Sequence, residues 1–128
     1  MSTSQPVLLS IVELGGYPNF APLYEGLGCR VVVENSMRKA LSAVKQHKPR
    51  VVVAEFNFQS DFRDRTSSLE SLMAVVQRLP GTRVIVFYEQ EYAPQLAKLQ
   101  ARFPLFRVMA YPIVEASLAD SVRAALAE

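Results

Sequence analysis

Two hydrophobic rhythms alternate along this chain. Short runs of consecutive apolar residues, rich in valine, are separated by longer stretches in which apolar residues recur every three or four positions. The first rhythm predicts strands buried on both faces, and the second predicts amphipathic helices. Val7–Val12 is the first strand. It ends in Glu13-Leu14-Gly15-Gly16, where the two glycines permit a sharp turn. Tyr17-Pro18-Asn19 opens a helix that runs to about Glu25 and stops at Gly26 or Gly28, since proline suits a first turn and glycine an end. Cys29–Val33 is the second strand. Asn35 or Ser36 caps the next helix, whose stripe is Met37, Ala40, Leu41 and Val44 and whose end carries Lys45, His47 and Lys48.

Pro49 closes that helix, and Arg50–Phe56 is the third strand, too short for a buried helix and rich in β-branched valine. An irregular, partly charged loop follows over Phe56–Thr66. The third helix begins at Ser67, with Ser67 and Glu70 at capping-box spacing and Leu69, Leu72, Met73 and Val76 along one side. Pro80-Gly81 is a stop. Thr82–Tyr88 is the fourth strand. A helix from about Tyr92 to Arg102, anchored by Leu96 and Leu99, tolerates Pro94 near its start. Leu105–Ala110 is the fifth strand. The last helix starts near Val114 and carries Leu118, Val122, Ala125 and Leu126 on one side. Five strands alternating with helices predict an α/β fold. Its sheet is parallel, covered on both faces and connected by right-handed crossovers. Five units favour a flavodoxin-like doubly wound sheet of order 2-1-3-4-5 over an eight-unit barrel.

Composition narrows this picture. A chain of 128 residues supports one domain over residues 1–128, with residues 1–6 expected as a flexible tail. Fourteen basic and twelve acidic residues leave a net charge of +2, which argues for neither nucleic acid nor an anionic membrane. The single Cys29 excludes an internal disulfide and fits a reducing cytoplasm. The start lacks basic residues, and Glu13 interrupts its apolar run, so neither a signal peptide nor a membrane span is expected. No P-loop, dinucleotide fingerprint, Ser-His-Asp set, zinc cluster or nucleophile elbow is present. The expectation is therefore no enzyme activity and no cofactor. His47 fits a solvated helix end, and Cys29 a small buried core residue.

Open α/β sheets place their sites at the C-terminal ends of the strands. Those ends here carry Glu13, Asn35, Glu55 with Asn57, Tyr88 with Glu89, and Tyr111-Pro112. On these five units, the Pro49–Glu55 segment and Tyr111-Pro112, the whole chain resembles the receiver domain of bacterial response regulators. The resemblance implies phosphotransfer to an acidic residue ending the third strand. It also implies an acidic pair after the first strand to hold Mg²⁺, a hydroxyl residue ending the fourth strand and a lysine before proline ending the fifth. Each part has a role: the metal offsets repulsion between phosphate and carboxylates, and the lysine and hydroxyl hold the phosphoryl group.

The chain departs from that pattern almost everywhere. Glu55 stands where the family has aspartate, and its extra methylene moves the carboxylate by about 1.5 Å. Misplacement on that scale costs roughly 10²-fold in a positioned reaction. Leu14 replaces the second acid, Tyr88 the small hydroxyl residue and Tyr111 the lysine, while Val108 falls where many receivers carry a switching aromatic. Asn57 alone matches, through a backbone-carbonyl role. The resemblance is thus to a degenerate receiver, without a functional metal at Glu13, Glu55 and Asn57. Glu55 is either a built-in negative charge resembling a phosphorylated state, or a carboxylate that is solvated or hydrogen-bonded to Tyr88 or Tyr111. The resemblance also implies a cis Tyr111-Pro112 bond, the alternative being a trans proline opening the last loop.

The loop Phe56–Thr66 is some residues longer than the family's segment. Phe56, Phe58 and Phe62 make it a candidate binding loop, or a cover for the vestigial pocket. In receivers the fourth helix, fifth strand and last helix form the usual partner face. Here that face would carry Lys98, Arg102, Arg107, Glu115, Asp120 and Arg123. The functional expectation is a cytoplasmic signalling module that acts without phosphotransfer. With no DNA-binding domain after the last helix, it would act by contacting a protein partner or a second copy. The competing expectation is a small-molecule-binding domain using the rim between Gly15, Asn57 and Tyr88 under the 56–66 loop.

Overall fold

The computed structural model describes residues 5–57 and 68–127. The elements are β1 (Val7–Ile11), α1 (Ala21–Gly26), β2 (Arg30–Glu34), α2 (Met37–His47), β3 (Val51–Phe56), α3 (Ser68–Val76), β4 (Arg83–Tyr88), a 3₁₀ turn (Gln90–Tyr92), α4 (Ala93–Gln100), β5 (Arg107–Ala110) and α5 (Glu115–Ala127). Every strand pairing is parallel, and the order is β2-β1-β3-β4-β5, as the alternation of rhythms predicts. The third strand is central and buried at all six positions, which is why its sequence is an unbroken apolar run apart from Glu55.

Alternation along the strands divides the core in two. Leu8, Val51, Val53, Ile85 and Phe87 face α1 and α5, packing on Phe20, Tyr24, Leu118 and Val122. Leu9, Ile11, Val52, Ala54, Phe56, Val84 and Val86 face α2, α3 and α4. Among the described residues no helix is long and apolar enough to cross a membrane.

Several boundaries differ from expectation for local reasons. The first helix starts at Ala21, not near Tyr17. Gly15 and Gly16 adopt φ of +70° and +86°, turning the chain back over the sheet before it can wind. The Asn19 side chain then accepts from the Ala21 amide at 3.0 Å, and Pro22, not Pro18, occupies the first helical turn. Ser36 is the cap of α2, accepting from the Lys39 amide at 3.2 Å. Lys48 closes α2 in a left-handed conformation at φ 47°. The fifth strand begins two residues late, at Arg107. Pro6, expected in the N-terminal tail, accepts the Arg30 amide at 2.9 Å. The long loop beyond Asn57 and the cap expected at Ser67 lie outside the described residues.

Candidate functional site

Glu55 is the penultimate residue of β3, and strand alternation turns it to the α1/α5 side of the sheet. It is only 1% exposed. An ionised carboxylate buried that deeply needs compensation. The turn after β1 supplies it. Three successive backbone amides converge on the two oxygens: Glu13 donates to Oε2 at 3.2 Å, Leu14 to Oε1 at 2.9 Å and Gly15 to Oε2 at 3.3 Å. The Tyr17 hydroxyl donates to Oε2 at 2.6 Å, and the Asn57 side-chain amide to Oε1 at 3.0 Å. All five partners are donors, which leaves none of the carboxylate's roughly four lone-pair sites free. Consecutive amides curved around an anion form a backbone nest, and the left-handed glycines make this one possible.

Aromatic rings close the site from the α1/α5 side. The Tyr17 ring meets Phe87 edge-on with centroids 5.2 Å apart, and stacks on Phe20 at 6.0 Å and Tyr111 at 5.9 Å. Phe87 also meets Tyr111 edge-on at 6.1 Å. Burial, then the hydrogen bond to Glu55, pushes the Tyr17 hydroxyl far above its ordinary range, so it stays a donor. Burial, then the Glu55 charge, does the same to Tyr111.

The expected site residues do not all meet. Glu13 contributes its backbone amide to Glu55. Asn57 contributes its side-chain amide. Glu55 is neither solvated nor hydrogen-bonded to Tyr88 or Tyr111; among the described residues its partners come from the first turn, Tyr17 and Asn57. From β4 the residue beside Glu55 is Phe87, its direct register partner. Tyr88 lies one position on and therefore packs on the opposite face, against the α2/α3/α4 core. Val108 is partly buried against that same core. Tyr111 reaches the site as a ring in the cover, and the Tyr111–Pro112 peptide is cis. The rim proposed for a small ligand between Gly15, Asn57 and Tyr88 is split, because the first two are taken up by Glu55 and the third faces away.

The site does not suit Mg²⁺. Hydrogens of five donors point at the two Glu55 oxygens, where a cation would have to sit, and Leu14 offers no second acid. Among the described residues no group of three or more His, Cys, Asp or Glu side chains could hold a metal ion.

On the expected partner face, Lys98, Arg107, Glu115, Asp120 and Arg123 are exposed. Arg123 pairs with Asp120 at 3.0 Å along α5, and the Arg107 guanidinium lies 4.5 Å from the Phe106 ring centroid. Arg102 turns the other way and pairs with Glu70 of α3 at 3.0 Å. Tyr17, Phe20 and Phe87 were not singled out from the sequence. The parity of β4 against β3 carries the signal for Phe87, but it becomes readable only with the strand register. Nothing local to Tyr17 marks it.

No family model and no curated protein sequence matches the chain. Solved structures do. A response regulator receiver domain protein from Clostridium thermocellum superposes with a TM-score of 0.76 at 17% identity, over 95% of this chain and 94% of that one. The chemotaxis protein CheY4 of Vibrio cholerae gives 0.74 at 13% identity, over 95% and 99%. The signal receiver domain of a LuxO repressor protein from Vibrio parahaemolyticus gives 0.73 at 16%, over 97% and 92%. At such identities what is shared is the fold, and the fold of this chain is that of a response regulator receiver domain.

Proposed function

We propose that the chain is a degenerate receiver: a cytoplasmic, non-enzymatic signalling module that works by protein contact and without phosphotransfer. The observation that carries this reading is the saturation of Glu55. A phosphoacceptor carboxylate must present a free oxygen to the incoming phosphoryl group and lie beside a metal. Here both oxygens are held by five donors, and the residue is 1% exposed. The fixed anion that the site still contains is neutralised internally, by amides and a hydroxyl, and does not project outward as a phosphoryl group would. The buried, lone Cys29 is compatible with a reducing compartment.

Output would pass through the exposed charged surface of α4, β5 and α5, where Lys98, Arg107, Asp120 and Arg123 can set register with a protein partner or a second copy. Arg102, tied to Glu70, would contribute less. The test compares the chain with and without acetyl phosphate and Mg²⁺, by intact mass and by capture of partners from the native cell. The expected result is an unchanged mass and the same partner in both samples, lost with Arg123→Glu. A phosphoryl adduct that disappears in Glu55→Gln would overturn the reading. So would a partner retained equally by Arg123→Glu, as far as the face is concerned.

A further inference from the structure

The first helix is short, six residues from Ala21 to Gly26, and follows the turn whose Glu13, Leu14, Gly15 and Tyr17 hold Glu55. Beside that turn, over the C-terminal ends of β1 and β2, lies a cleft of about 290 Å³ that Tyr17 lines and Glu55 does not. It approaches the size at which small-molecule sites begin. Its walls are apolar and aromatic, with Val12 and Val33 on the strand side and Tyr17, Phe20 and Tyr24 on the helix side.

Two hydroxyls line this cleft without protein partners. Tyr24 is 1% exposed and Ser10 is 9% exposed. Among the described residues neither hydroxyl forms a hydrogen bond. Both oxygens open onto the cleft rather than being sealed in the core, so each is free to hydrogen-bond an occupant. Burial holds the Tyr24 hydroxyl well above its ordinary range, which keeps it a donor. Two amides stand at the mouth. Asn35 donates to the Val12 carbonyl at 3.0 Å, leaving its own oxygen as an acceptor. Asn19 accepts from the Ala21 amide, leaving its nitrogen as a donor. No charged residue lines the cleft.

We infer that this cleft binds a neutral, single-ring organic molecule carrying both a hydrogen-bond donor and an acceptor, with Ser10 and Tyr24 as its recognition hydroxyls. A flat ring fits between aromatic and valine walls. A charged ligand would be desolvated with no counter-charge. Tyr17 belongs to both the cleft and the Glu55 cage, so an occupant touches the residue that holds Glu55. The inference stands independently of the proposed loss of phosphotransfer, which is read by mass.

The test is an amide chemical-shift titration of the full chain. The probes are phenol, benzamide and 4-hydroxybenzamide at millimolar concentrations, with anionic 4-hydroxybenzoate as the control. We expect saturable shifts confined to Ser10, Val12, Tyr24 and Val33 and their neighbours, strongest for 4-hydroxybenzamide and absent for 4-hydroxybenzoate. Tyr24→Phe should weaken binding about fivefold, the worth of one ordinary hydrogen bond. Val33→Trp, at a half-exposed edge position that leaves the fold intact, should block the cleft. The inference is overturned by any of three results: no saturable shift for all three neutral probes, equal binding of the anion, or undiminished binding in both variants.

Discussion

Replacing Glu55 by glutamine changes one oxygen to an amide group and almost nothing in volume. If the new nitrogen takes the Oε2 position, three donors lose their acceptor: the Glu13 and Gly15 amides and the Tyr17 hydroxyl. If it takes the Oε1 position, only the Leu14 amide and Asn57 do, and Asn57 can rotate to present its own oxygen. The second orientation therefore wins. It leaves one amide unpaired and turns charge-assisted hydrogen bonds into neutral ones. At about 1 kcal/mol lost for each weakened bond and about 2 for the orphaned amide, the gross cost is about 5 kcal/mol. Glutamine also removes the desolvation cost of a buried charge, which offsets part of this. The net expectation is a destabilisation of about 2–3 kcal/mol. A chain of 128 residues has roughly 10 kcal/mol of stability in all, so the loss is a sizeable fraction. It corresponds to a fall in Tm of about 10 °C. Urea unfolding measures it as a lower midpoint at unchanged slope. Amide spectra should show the Glu13, Leu14 and Gly15 resonances moving together. A glutamine variant within about 0.5 kcal/mol of wild type, the size of an ordinary surface substitution, would refute the caged carboxylate if those three resonances also stayed in place.

Tyr17→Phe keeps the ring stacking and removes only the 2.6 Å hydrogen bond to Glu55, so it should lower stability by about 1.5–3 kcal/mol in the same urea assay. An unchanged midpoint would mean that the backbone amides and Asn57 hold the carboxylate without the hydroxyl. Alkaline titration gives a third test. Burial raises the hydroxyls of Tyr17, Tyr24 and Tyr111 well above the ordinary 10.0. Below about pH 10 both the folded and the unfolded chain keep these protons, so the three residues leave stability flat there. Above it the unfolded chain releases protons that the native chain retains, and stability falls as pH rises. Tyrosinate absorbance from these three should therefore appear with the loss of circular dichroism; full ionisation of all five tyrosines in a still-folded chain would contradict the burial.

Much of the fold was legible because it rests on periodicity. Continuous valine-rich runs imply strands buried on both faces, and their alternation with helical stripes implies a parallel sheet with crossovers. The position of Glu55 at the end of the central strand followed from the same pattern. The cage around Glu55 was not legible. The sequence pointed to Tyr88 and Tyr111 as its neighbours, since they end β4 and precede Pro112. Register moved that role to Phe87, because residues paired directly across parallel strands share a face and the next residue does not. The start of α1 was misplaced for a related reason. Pro18 looks like a first-turn proline, but the left-handed glycines before it commit the chain to Glu55 first.

Local preferences, period and length are encoded residue by residue, and they were enough to specify five βα units, the sheet order and an acidic residue at the end of the central strand. Which atoms close on that acid depends on strand register and on where one turn folds back, and both are decided only when distant segments pack. So the carboxylate at the strand end is an internal anion, held by the backbone of the first turn, Tyr17 and Asn57. The same stretch, 12–20, also lines the cleft beside it, through Val12 and Tyr17 to Phe20.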